Sequence, residues 1–125
     1  MRMVGAVAAL LMSMGAAQAE KVAASGQPLI LFQASSTNPD CTSTGKVILR
    51  MTQAPQHGRV TIRSAGVFPT FAESNIRSAC NRRRVPGVQA VYVSERGYLG
   101  PDFVELQVLF PQGTERSVKF SISVK

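Results

Sequence analysis

Three places in the chain hold residue types that could do chemistry. Arg82-Arg83-Arg84, with Arg77 five residues earlier, gathers four guanidinium groups into one polar stretch. Planar guanidinium forks grip carboxylate, sulfate or phosphate through paired N–H groups, so this run is a candidate anion-binding loop. The bland alternative is a solvated cluster that aids solubility. Cys41 and Cys80 are the two cysteines, and they lack Cys-x-x-Cys spacing. An even count in an oxidising compartment reads as one structural disulfide rather than a redox or metal pair. His57 is the single histidine, set in Ala54-Pro55-Gln56-His57-Gly58 with no companion histidine or nearby carboxylate in sequence. It reads as an exposed turn residue, because a general base or a metal ligand needs partners that orient the ring. No Gly-x-Ser-x-Gly elbow is present. The expectation is no catalytic residue, no metal ligand and no cofactor.

The elements that must position these groups read as strands. No window after the first nineteen residues sustains helical apolar spacing, whereas several alternate or form short β-branched runs bounded by Gly, Pro, Ser and Asn. The continuous apolar character of Pro28–Phe32 predicts a strand buried on both faces or an edge tucked under a loop. Lys46–Met51 predicts a second strand, joined by the Ala54–Gly58 turn as a hairpin to Arg59–Arg63, with Val60 and Ile62 on one face and the two arginines on the other. Val67–Ala72 predicts a short edge strand limited by Pro69, and Glu73–Pro86 a long irregular stretch. Val88–Val93, Phe103–Phe110 and Ser117–Val124 predict three more strands, the last with Val118, Phe120, Ile122 and Val124 on its buried face. Six or seven strands in this length point to an all-β fold, a single antiparallel two-sheet β-sandwich with one disulfide; a closed barrel is the runner-up.

Met1 to Ala19 carries a basic start at Arg2, an apolar run and the small-x-small exit Ala17-Gln18-Ala19, the pattern of a secretory signal peptide. The run Val4–Met14 is too short for a permanent anchor, and no transmembrane segment is expected after cleavage. The predicted organisation is a signal peptide at 1–19, a flexible lead-in at 20–27 and one β-sandwich domain at 28–125. Removing Arg2 leaves thirteen Lys and Arg against seven Asp and Glu, a net charge of about +6. Such a surface favours anionic polysaccharide, lipid head groups or an acidic protein, and export excludes nucleic acid as the physiological partner. The expected location is the periplasm, with release outside the cell as the alternative.

Pro55, Gly58, Val60, Tyr92, Gly97, Tyr98, Gly100, Asp102 and Phe103 follow a pattern of turn glycines and core aromatics. Over roughly residues 55–124 this pattern resembles the immunoglobulin-like and cadherin-like domains of bacterial secreted proteins. The resemblance implies a sandwich acting as an adhesion or spacer module. The chain departs from the family pattern in having a single copy, and in reading Asp102-Phe103 where one intervening residue is usual. The acidic clusters with which true cadherins bind calcium are not reproduced, since Asp102 stands alone between Pro101 and Phe103. The function expected is a noncatalytic secreted binding or structural module recognising anionic envelope polymers or a protein partner. A small secreted enzyme or enzyme inhibitor with a loop-borne site is the alternative.

Overall fold

The computed structural model describes residues 17–125, so most of the expected signal peptide lies outside the described residues. Seven strands run in chain order: β1 Ala17–Ala23, β2 Leu29–Ser35, β3 Ile48–Gln53, β4 Gly58–Val67, β5 Val85–Ser94, β6 Gly100–Leu109 and β7 Glu115–Val124. They form two sheets, a four-stranded one ordered β1-β7-β6-β3 and a three-stranded one ordered β2-β5-β4. The inner faces share one core, with Leu31, Ala90 and Tyr92 of the smaller sheet packed against Leu49, Val104, Leu106, Val108, Phe120 and Ile122 of the larger. Two-residue alternation supplies this core directly. Val104, Leu106 and Val108 are buried on β6, and Val118, Phe120, Ile122 and Val124 on β7, while the residues between them face water.

The fold matches the expected all-β, two-sheet, disulfide-linked architecture, and departs from it locally. β1 pairs with β7 in parallel, from Ala17 opposite Val118 to Ala23 opposite Val124, so the assembly is not wholly antiparallel. Residues 20–23, read as lead-in, belong to that strand, and Ala23 is buried because it lies over the core end of β7. The apolar run 28–32 is an edge strand whose alternation is broken by a bulge between Ile30 and Phe32. The extra residue turns Leu31 inward and leaves Ile30 exposed, which accounts for a continuous run on a strand with only one buried face.

The predicted hairpin between the second and third strands of the sequence is absent. β3 pairs with β6 and β4 pairs with β5, so the Ala54–His57 turn carries the chain from one sheet to the other. Local turn chemistry was read correctly, but long-range pairing decided the partners. Beyond Val67 the expected short strand does not form; β4 instead runs unbroken for 10 residues. The long irregular stretch contains a 3-10 turn, Ser78–Arg82, and is clamped by the Asn81 side chain, which accepts from Phe71 N and donates to Phe71 O, each at 2.8 Å.

Candidate functional site

The disulfide joins Cys41, in the loop after β2, to Cys80 in the 3-10 turn, with Cα atoms 5.4 Å apart. Cys41 holds a left-handed φ of 71°, a conformation that costs a non-glycine residue free energy and that the bridge holds in place. Two elements distant in sequence are thereby fixed beside the arginine run. Arg77 is half-buried and donates from Nε to the Thr37 carbonyl at 2.9 Å, stitching the same two loops. Its guanidinium works as a strut. Arg82, Arg83 and Arg84 are exposed. Arg84 lies over the Phe68 ring at 5.4 Å, and its aliphatic stem covers Gly66, where a Cβ would collide with it. The structure therefore divides the sequence-predicted cluster into one structural arginine, one arginine shaped by packing and two solvent-facing ones.

Arg84 stands at the end of a groove of about 1040 Å³ between the free edges of β3 and β4. Val47, Leu49, Val88 and Ile62 give it apolar walls, and Lys46 and Arg84 its charges; among the described residues, no acidic and no aromatic residue lines it. The groove exists because the sheets do not close on this side. Ile62 lies opposite Ala90, a core residue, and so faces inward, yet it remains 37% exposed. Ser64, opposite buried Val88, is likewise inward and exposed. On the outer face, Arg63 reaches Gln89 Oε1 with Nε at 3.3 Å and Nη2 at 3.2 Å, and Gln89 in turn donates to Gln33 at 2.8 Å. Sequence alternation placed Val60 and Ile62 on the inner face; nothing in it said that the opposing sheet would stop short of covering Ile62.

The second polar constellation is organised by Asp102, which is 7% exposed. Its Oδ1 accepts from Gln56 N and Phe103 N, each at 2.9 Å, and its Oδ2 from His57 N at 3.1 Å and the Tyr92 hydroxyl at 2.7 Å. Burial pushes the carboxyl up, but hydrogen bonds from Tyr92 and the three backbone amides outweigh it and hold Asp102 below its ordinary value of 3.8. Burial and the adjacent carboxylate push the Tyr92 phenol upward. The His57 ring stacks on Tyr98 at 4.0 Å, with planes 6° apart, and the Tyr98 hydroxyl donates to the Pro101 carbonyl. His57 is thus half-buried rather than a free turn residue, and its backbone is bound to the carboxylate that looked isolated in sequence. This constellation fastens the intersheet turn to β6 and leaves neither carboxylate oxygen without a donor. Among the described residues, no three His, Cys, Asp or Glu side chains gather as a metal site.

No family profile and no curated protein matches this chain. Among solved structures, the solution structure of amebosin is similar at a TM-score of 0.41 and 13% identity, covering 89% of this chain and 100% of that chain. That likeness is too low to bear on function.

Proposed function

We propose that this protein is a secreted, noncatalytic binding module, of the immunoglobulin-like or cadherin-like kind, that recognises an anionic partner on the open side of its two sheets. The observation that carries the reading is the groove between β3 and β4, where Lys46 and Arg84 border an apolar floor and, among the described residues, no carboxylate lines it. Exposed Arg82 and Arg83 extend the positive charge beyond its rim. Fork-shaped donors on a loop tethered by a disulfide lose little freedom on binding an anion, which favours recognition there. The noncatalytic part of the reading is supported by the commitment of Asp102 to four donors within its own fold. Both of its oxygens are already engaged by these donors, so it is not free to serve a bound molecule as a general base.

Replacing Arg82, Arg83 and Arg84 by Ser tests the reading. The triple variant should fold and should leave a heparin-type column at clearly lower salt than the parent, because exposed charges act over a screening length of about 10 Å at 0.1 M ionic strength. Unchanged elution would remove the arginine run from the binding surface.

A further inference from the structure

β4 differs from the other antiparallel edge strands. β2 and β3 each contain a register shift, between Ile30 and Phe32 and between Met51 and Gln53, and such bulges blunt an edge against further pairing. β4 pairs with β5 residue for residue from Gly58 to Val67, and among the described residues no strand pairs with its other edge. Ten residues of regular, unpaired edge extend about 33 Å at the strand rise. The faces of that edge have opposite character. Val60 and Ile62 point inward, in register with Tyr92 and Ala90; Arg59 and Arg63 point outward, in register with Val93 and Gln89.

The geometry points to β4 as the receiving edge for an extended segment of a partner protein in which apolar and acidic side chains alternate. The inference rests on reading the open basic side as the binding surface, and names its ligand class. A strand added beside β4 would direct every second side chain into the groove, over Ile62 and Leu49, and the intervening ones outward beside Arg59 and Arg63. Apolar residues fit the first set and Asp or Glu the second, since opposite charges on neighbouring strands attract. Two other occupants fit less well. In a second copy paired antiparallel about Thr61, Arg59 of each chain would lie opposite Arg63 of the other, a like-charge arrangement that opposes pairing. An acidic polysaccharide would find no aromatic platform in the lining, and would set its hydroxyls against Val47, Leu49 and Val88.

The test uses the purified, disulfide-bonded protein and two pools of ten-residue peptides, in which Val, Ile or Leu alternates with Asp or Glu in one pool and with Lys in the other. The protein should retain the acidic pool and pass the lysine pool, and the Arg59→Glu/Arg63→Glu variant should reverse that preference. Retained peptides are then made in two forms, N-methylated at the odd or at the even amides. One form should bind at least tenfold more weakly and the other as before, because only one set of amides faces β4. Hydrogen exchange of β4 amides should slow when the unmodified peptide binds. Failure to retain the acidic pool, equal retention of both pools, or indifference to both methylation patterns overturns strand addition, and the peptide arms remain decisive if the variant does not fold. Retention by a heparin-type column, lost in the Arg82–Arg84 triple variant while peptides pass, would leave the broader anionic-partner reading standing and refute this one. Failure of both probes would refute both.

Discussion

Asp102 brings a negative charge into a nearly dry site and surrounds it with donors from three parts of the chain: the intersheet turn at Gln56 and His57, its own neighbour Phe103, and Tyr92 across the sheets. A carboxylate with this many partners stabilises the fold only while ionised. Because its folded-state pKa lies below the ordinary value of 3.8, its contribution is fully present above that value and is lost as pH falls through the lower, folded-state one. Asp102→Asn should therefore destabilise the protein by about 2–4 kcal/mol near neutral pH, since an amide nitrogen cannot accept from the donors it would face. Acid unfolding followed by circular dichroism checks the sign: the parent should lose stability more steeply than the variant as pH drops below about 4. A smaller loss, about 1.5–3 kcal/mol, is expected for Tyr92→Phe, which removes one hydrogen bond to a charged acceptor. A double-mutant cycle should show the two changes coupled, because they share that bond.

At the level of elements, the disulfide compensates for a segment with little regular structure. Residues 36–47 and 68–84 contain no named strand, and the bridge between Cys41 and Cys80 joins the two across 39 positions. Closing a loop of that length removes about 4 kcal/mol of unfolded-state entropy on the chain-entropy account. Cys41→Ser/Cys80→Ser should lower the melting temperature by well over 5 °C, because about 1 kcal/mol shifts Tm by roughly 4–8 °C in a domain near this size. Differential scanning calorimetry measures it, and a shift under about 2 °C would mean that Asn81 and Arg77 hold these loops unaided. If the proposed anion binding is found, the variant should weaken it modestly, through greater freedom in residues 82–84, without changing its salt dependence.

For the whole molecule, β1 overlaps the expected cleavage site, so its pairing bears on the stability of a processed chain. The expected cleavage after Ala19 falls inside the strand, so a chain beginning at Glu20 would keep the pairs from Glu20–Ser121 to Ala23–Val124 and lose those of residues 17–19. Intact mass of the exported protein should correspond to a start at Glu20. Such a chain should retain most of its thermal stability, because buried Ala23 and the backbone bonds Lys125 N to Ala23 O and Ser25 N to Lys125 O all survive. A chain starting at Gln27 loses these, together with the Gly97 N bond to Ser25 Oγ, and should melt more than about 5 °C lower. Equal melting of the two chains would show that β1 adds no stability.

The residues themselves determined most of the strands and their buried faces, though not β1, nor the end of β4 at Val67. The period-two alternation of Phe103–Phe110 and Ser117–Val124 is a direct record of one wet and one dry face, and the even pair of cysteines read as the disulfide that forms. The arginine run was legible as charge, though not as one strut and three exposed neighbours of different surroundings. Partner choice belonged to the tertiary structure, because strand pairing joins residues far apart in sequence: β3 looked joined to β4 and paired with β6 instead. The same long-range geometry brought lone Asp102 to Tyr92 and to the turn at His57, and left Ile62 uncovered between two sheets that stop short of closing. Alternation states which way a side chain points; only the packed sheets decide what, if anything, stands opposite it.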